Sequence, residues 1–99
     1  MFRHVVMMKW TEESTPEQRS AAIEAVRGLS AVVPTVRALS CGTDAGVAEG
    51  NFDFVAVVDF DDVAGYQAYA SHPDHVQVIT ELLRPIAAQR AAVQYELEG

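Results

Sequence analysis

The sequence has little cysteine and no long apolar run. Cys41 is the only cysteine in 99 residues, so an internal disulfide is excluded, which fits a reducing compartment. After Met1-Phe2-Arg3-His4, only four apolar residues precede Lys9, too few for a signal peptide or a membrane span. We therefore expect a cytoplasmic protein with no membrane partner.

Basic residues are also scarce. The chain has seven Lys and Arg against 14 Asp and Glu, and its formal net charge at pH 7 is −7. No basic patch is visible, so nucleic acid and anionic membranes are poor candidates as partners. There is no glycine-rich phosphate loop, and the sulfur ligands typical of metal enzymes are missing. We expect no cofactor and no metal.

The length and composition are those of one small globular domain, residues 1–99. Hydrophobic residues make up 49% and charged residues 21% of the chain, which argues against disorder. A domain of this size has a modest core, so covering more apolar surface by self-association would stabilise it.

The apolar pattern predicts four strands and two helical regions. Thr15-Pro16-Glu17-Gln18 is a typical helix start, with a threonine N-cap, a proline at the first helical position and a capping box. The predicted elements are strand 2–10, helix 16–33, strand 36–43, strand 52–60, helix 63–70, helix 73–83 and strand 90–97. With right-handed crossovers, the order β-α-β-β-α-β gives an α+β, ferredoxin-like fold: a four-stranded antiparallel sheet with the helices on one face.

Two strands, 2–10 and 52–60, are apolar at the centre of both faces. A strand of this kind needs cover on both sides. His4 shares the predicted helix-covered face with Val6 and Met8. The other face would be bare in a monomer, and its central residues are Val5, Met7, Val55 and Val57. Since a bare apolar patch of this kind marks an interface, we predict a homodimer through the sheet face opposite the helices.

The segment 69–75, Tyr-Ala-Ser-His-Pro-Asp-His, holds two of the three histidines and one of the three tyrosines. Pro73 disfavours helical geometry at His72 and suits the first turn of a new helix. We therefore predict a break at His72 and a helix that starts at Pro73.

His75 falls in the first turn of this helix. Ile79 and Leu82 lie four and seven residues further on, which places all three side chains on one helical face that should point inward. A helix N-terminus and burial both oppose protonation of an imidazole. We predict that the pKa of His75 is lowered and that its ring is neutral at pH 7, so that it can act as a base.

Together these segments resemble the stress-responsive A/B barrel (Dabb) domain family. The resemblance rests on Arg3-His4-Val5-Val6 followed by Lys9, the helix-starting proline, the strand 52–60, and Tyr69 with His72-Pro73-Asp74-His75-Val76. It covers nearly the whole chain, and it implies a dimeric α+β barrel.

The resemblance also implies a site. A plant polyketide cyclase of this family uses a tyrosine and a histidine six residues apart as its catalytic pair, and Tyr69 and His75 match them. A first-strand histidine of that enzyme matches His4, whereas a third-strand histidine falls on Phe54, so the pockets differ. On this reading, His75 is the base and Tyr69 the hydrogen-bond donor of a cofactor-free, aldol-type cyclisation. The predicted ligand-binding residues are His4, Phe54, Tyr66 and His72.

Each candidate also has a purely structural explanation. His75 could be a half-buried residue at a helix start, and Tyr69 a packing aromatic with a wet hydroxyl. His4 could be a core histidine with a satisfied hydrogen bond. His72 could cap the helix, contact the dimer mate or lie on the surface.

Two further sites have weak support. Two histidines three residues apart, His72 and His75, with Asp74 and His4, are a poor metal signal. Cys41 has no basic neighbour in sequence, so a nucleophilic role is poorer still.

Three functions remain open at this stage. The first is binding of a small hydrophobic or aromatic carbonyl compound, with catalysis by His75 and Tyr69. The second is a non-catalytic stress-response or structural dimer. The third, a cofactor-free oxygenase, is an analogy from the fold alone.

Overall fold

In the computed structural model, which describes residues 1–98, the chain forms four strands and three helices in the predicted order. They are β1 (Phe2–Trp10), α1 (Pro16–Val32), β2 (Ala38–Thr43), β3 (Phe54–Phe60), α2 (Val63–Ser71), α3 (Pro73–Val78) and β4 (Ala87–Glu96). A π-helical turn (Ile79–Leu83) and a 3-10 turn (Arg84–Ile86) connect α3 to β4. Within residues 1–98, every helix is too short or too polar to cross a membrane.

The strands form one antiparallel sheet in the order β2-β3-β1-β4, which confirms the ferredoxin-like prediction. The two central strands are β1 and β3, and Val5 pairs with Val57 on one side and Val93 on the other. Strands β2 and β3 begin at Ala38 and Phe54, each two residues later than predicted. Before β3, the Asp53 carboxylate accepts a hydrogen bond from the Trp10 backbone N–H at 2.8 Å, so a side chain takes the place of a backbone acceptor there and regular pairing begins at Phe54.

Helix α1 begins as predicted. The Thr15 hydroxyl accepts from the backbone N–H of Gln18 at 3.1 Å, and the Gln18 side chain accepts from the Thr15 N–H at 2.9 Å. A cap of this kind contributes about 1 kcal/mol. The side of α1 that faces the sheet is apolar and buried, and its side chains are Ala22, Val26, Leu29 and Val33.

The predicted break at His72 is confirmed. This residue is extended (φ −62°, ψ 134°), and it ends α2 and caps α3 at once. Its backbone N–H donates to the Tyr69 carbonyl at 3.1 Å, and its Nδ1 accepts from the Asp74 N–H at 3.1 Å. Pro73 takes the first helical position, where its missing N–H costs nothing.

The inward position of Leu82 was predicted wrongly. Leu82 is 37% exposed, whereas Leu83 is 2% exposed and belongs to the core. The prediction assumed α-helical spacing from His75. The π-helical turn holds more residues per turn, so it moves the inward position one residue further along the chain.

The helices cover one face of the sheet only. We call the other side the open face; its central residues are Val5, Met7, Val55, Val57 and Val93. Val93 is 57% exposed and Met7 37% exposed in the single chain. Arg3 and Asp59 lie at one end of this face, where the guanidinium donates two hydrogen bonds to the carboxylate, at 2.7 and 2.9 Å.

Candidate functional site

A cavity of about 530 Å³ lies between the helices and the covered face of the sheet. Its wall is mostly apolar, with Met8, Phe54 and Ala56 from the sheet facing Ile79 and Leu83 from the helical side. Polar groups are few. They are His4 from β1, Tyr66 and Tyr69 from α2, His75 from α3, and Arg84, Gln89 and Arg90 near the start of β4.

Tyr69 and His75 meet inside this cavity. Their ring centroids are 4.2 Å apart, and the ring planes make an angle of 46°. Tyr69 is 4% exposed and packs against Phe60, at a centroid distance of 5.2 Å. The break at His72 turns the chain so that α3 brings His75 back over the last turn of α2. The structure thus brings together the two residues predicted as a pair.

One hydrogen bond fixes the tautomer of His75. Its Nδ1 lies 3.1 Å from the carbonyl oxygen of Ala70. Because a carbonyl can only accept, Nδ1 carries the proton, and in the neutral ring the lone pair is on Nε2. The Ala70 carbonyl is one of those left without a helical partner at the end of α2. The helix break therefore frees this acceptor and also places the His75 ring next to it.

The pKa of His75 is lowered, as the sequence predicts. Burial is the main cause, and the charge of Arg90 and the nearby His72 act in the same direction. The hydrogen bond to Ala70 opposes them without reversing the shift. The ring is therefore neutral at pH 7, and Nε2 can accept a proton.

Tyr69 is shifted in the complementary direction. Burial raises the pKa of its hydroxyl, and Cys41 and Tyr66 nearby add to the rise. The hydroxyl stays protonated at all moderate pH values and can donate a hydrogen bond. The two side chains in ring contact thus offer one proton acceptor and one donor.

His4 lies in the same cavity and is also neutral. It is 5% exposed, and burial, with the charge of Arg90 and the proximity of His75, lowers its pKa to about 4. Its Nδ1 is 2.9 Å from Nε2 of Gln94, whose amide group also donates to the Tyr66 hydroxyl at 3.1 Å. An amide nitrogen can only donate, so the proton of His4 is on Nε2.

We did not predict Gln94 from the sequence. A signal was present, because side chains alternate along a strand, so Val93 and Tyr95 share one face of the last strand and Gln94 and Arg90 the other. In this fold that opposite face is the one that the helices cover. A glutamine and an arginine there indicate a polar wall rather than core.

The other predicted ligand-binding residues have different positions. Phe54 is 2% exposed and lies deep in the cavity wall, 5.4 Å from Trp10 between ring centroids. Tyr66 also lines the cavity, with its ring 5.0 Å from that of His4. His72 does not line it, and its ring caps α3 instead, which is one of the three alternative roles considered for it.

The structure offers little for metal or thiol chemistry. Within residues 1–98, no group of three or more His, Cys, Asp or Glu side chains could hold a metal ion. Cys41 is half-buried on β2, and burial raises the pKa of its thiol, so the reactive thiolate is disfavoured.

The fold and the cavity define a ferredoxin-like α+β domain in which Tyr69 and His75 are in contact in a cavity under the helices. Residues 2–97 match the stress responsive A/B barrel domain, and the chain belongs to this family. No curated protein matches the chain.

Solved structures agree with this assignment. A dimeric ferredoxin-like protein of unknown function from Thermobifida fusca is 38% identical, with a TM-score of 0.89 over 97% of this chain and 90% of its own. A dimeric protein of ferredoxin-like fold from Bacteroides fragilis is 25% identical, with a TM-score of 0.81 over 97% of this chain and 95% of its own. The hydroxynitrile lyase from Passiflora edulis is 19% identical and matches with a TM-score of 0.87 over 98% and 93%, a likeness in fold alone.

Proposed function

We propose that this protein binds a small hydrophobic or aromatic carbonyl compound in the cavity under its helices. The volume of about 530 Å³ is within the usual range for ligand sites. An apolar wall with a few converging polar groups is also typical of such sites. The observation that carries the proposal is the contact of Tyr69 with His75 inside this cavity.

We further propose that the pair does acid–base chemistry on the ligand. Nε2 of His75 removes a proton from the carbon next to a carbonyl, and the Tyr69 hydroxyl hydrogen-bonds the enolate oxygen that forms. In an aldol-type closure, the enolate carbon attacks a second carbonyl of the same ligand. The imidazolium of His75 then returns the proton to the new alkoxide, so the reaction is balanced without a cofactor.

The tautomer and the pKa directions support these roles. The Ala70 carbonyl holds the proton on Nδ1 and leaves Nε2 with the lone pair. The lowered pKa of His75 keeps it in the basic form, while the raised pKa of Tyr69 keeps it a donor. A distant relative of the same fold is called a hydroxynitrile lyase, so the fold is compatible with enzymatic activity.

The test uses acetophenone, a simple aromatic ketone, in heavy water. We expect the wild-type protein to accelerate exchange of the methyl protons, followed by NMR. His75→Gln should reduce the acceleration by about a hundredfold or more, the usual contribution of a general base. Tyr69→Phe should reduce it less, by about tenfold, the value of one hydrogen bond.

His72→Asn is the matched control. It removes an imidazole three residues away that does not line the cavity, and asparagine is itself a good N-cap. This variant should keep the wild-type exchange rate. If His75→Gln and Tyr69→Phe leave both ketone binding and exchange unchanged, the proposed function is wrong.

A second candidate is a non-catalytic stress-response or structural homodimer. The open face favours it, because Val93 and Met7 expose apolar surface in the single chain and the similar proteins are dimeric. We propose that two copies pack through this face in either case. A dimer that binds no ketone, and in which the cavity residues affect only stability, would support this second function.

A further inference from the structure

The basic side chains of this acidic protein have partners, with two exceptions. Three arginines form ion pairs: Arg3 with Asp59, Arg27 with Glu24, and Arg37 with Asp61. Arg19 donates to Ser14, and the Lys9 ammonium lies 5.4 Å from the centroid of Phe52. The remaining two, Arg84 and Arg90, form no ion pair with any other part of the chain from residue 1 to 98.

Both of these arginines line the same cavity. Arg84 follows the π-helical turn and Arg90 lies on β4, and both are exposed, which places them at the opening of the cavity. Elsewhere the wall is mostly apolar, its other polar groups are uncharged, and lowered pKa values keep His4 and His75 neutral. The protein as a whole is negative, with a net charge of −7, so two cations without partners give this opening a positive charge that the rest of the surface lacks.

The charge of Arg90 acts on the interior. Arg90 lines the same cavity as His4 and His75, and its charge adds to burial in lowering the pKa of both rings. Two guanidinium groups at an opening suit an oxyanion, since each can donate two parallel hydrogen bonds to a carboxylate or phosphate.

We propose that the ligand of this cavity is an anionic amphiphile: its apolar body fills the cavity, and its oxyanion lies between Arg84 and Arg90. The shared chemistry is that of a carboxylate or a phosphate ester. This inference rests on the proposed function for the site and narrows its substrate class to carbonyl compounds with an anionic end. Arg84 and Arg90 are then binding residues that set the orientation of the ligand in the cavity.

The experiment compares three probes that each have a ten-carbon chain: decanoate, decyl phosphate and decanol. Binding is measured by calorimetry at pH 7, and the site is identified by NMR shifts of the His75 and Tyr69 rings. We expect the wild-type protein to bind at least one of the two anions about tenfold more tightly than decanol, the value of one charge-assisted hydrogen bond. The two anions distinguish carboxylate from phosphate recognition.

Variants then test the two arginines. Arg90→Gln should reduce the preference for the anion, and the double variant with Arg84→Gln should abolish it. Arg27→Gln is the control, because it removes the same charge from an exposed position that does not line the cavity. It should keep the preference.

A second readout follows the His75 ring during a pH titration. A bound anion offsets the charge of Arg90, so it should raise the pKa of His75, whereas decanol should not. At the same anion concentration the rise should be smaller in Arg90→Gln, because the anion has lost this partner; an undiminished rise would show that Arg90 does not hold the anion.

The outcomes separate this inference from the proposed function. If decanol binds in the cavity as tightly as the anions, or the double variant keeps the preference, the inference is wrong and the proposed function stands. If none of the three probes shifts the His75 and Tyr69 rings, the inference is wrong, and the acetophenone test decides the proposed function by itself.

Discussion

His75 lies against Tyr69, with ring centroids 4.2 Å apart, because the helix between them is broken. Residues six apart in a continuous α-helix point about 120° away from each other. The extended conformation of His72 removes this constraint and starts α3 at a new angle. The contact between the two rings is therefore a product of the break, and His72, which makes the break, does not line the cavity.

The free energy of unfolding should fall as the pH falls from about 6.5 to about 4. The pKa of His4 is about 4 in the folded protein, against about 6.5 in an unfolded chain. Between these values the unfolded state binds more protons, so acid favours unfolding, by an amount on the order of 3 kcal/mol. Urea unfolding at pH 7 and pH 4.5, at one protein concentration, measures this.

His4→Gln is the control for this effect. It lacks the titrating group and should lose less stability between the two pH values than the wild-type protein, while His75, whose pKa is also lowered, contributes to the fall in both proteins. Asp59, whose pKa is lowered by Arg3, also loses its contribution in acid, but equally in both proteins. An identical fall in the two proteins would show that His4 is not the cause.

Gln94→Glu should raise the pKa of His4. The amide of Gln94 donates to Nδ1 and so favours the neutral ring, whereas a carboxylate in its place would accept from Nδ1–H and favour the imidazolium. An NMR titration of the His4 ring should show a rise of at least one unit from about 4. Gln77→Glu, an exposed position on α3, should leave this pKa unchanged.

Leu83→Ala should destabilise the protein far more than Leu82→Ala. Leu83 is 2% exposed, so its truncation leaves a cavity and should cost about 2–5 kcal/mol. Leu82 is 37% exposed and should cost less than about 1 kcal/mol. Urea unfolding of both variants checks the π-helical register. A larger loss of stability for Leu82→Ala than for Leu83→Ala would mean that the segment is an ordinary α-helix.

Val93→Glu should weaken the proposed homodimer. Val93 pairs with Val5 on the open face, and a buried unpaired carboxylate at a sheet-to-sheet interface is costly. Analytical ultracentrifugation at micromolar concentration should show a shift towards monomer. Val47→Glu, at a loop residue that is 88% exposed, introduces the same charge and should leave the assembly unchanged. Equal behaviour of the two variants would place the interface elsewhere.

Local features of the fold could be predicted from the sequence. The start of α1 depends on Thr15 and Gln18, three residues apart, and the break at His72 depends on the next residue. Strand alternation separated the face of His4 from that of Val5. The features that were missed depend on distant parts of the chain. The π-helical turn shows no distinct local pattern, and Gln94 meets His4 across 90 residues.

The sequence by itself determined the order of the elements, the break and the inward direction of His75, because steric and capping effects act within a few residues. The tertiary structure alone decided which polar groups share the cavity. Arg84 and Arg90 line it, and Gln94 bonds to His4 behind it, only because β4 pairs with β1 and the helical segment closes over both. Burial there lowers the pKa of His4 and His75 and raises that of Tyr69, and burial is a property of the packed chain rather than of any segment.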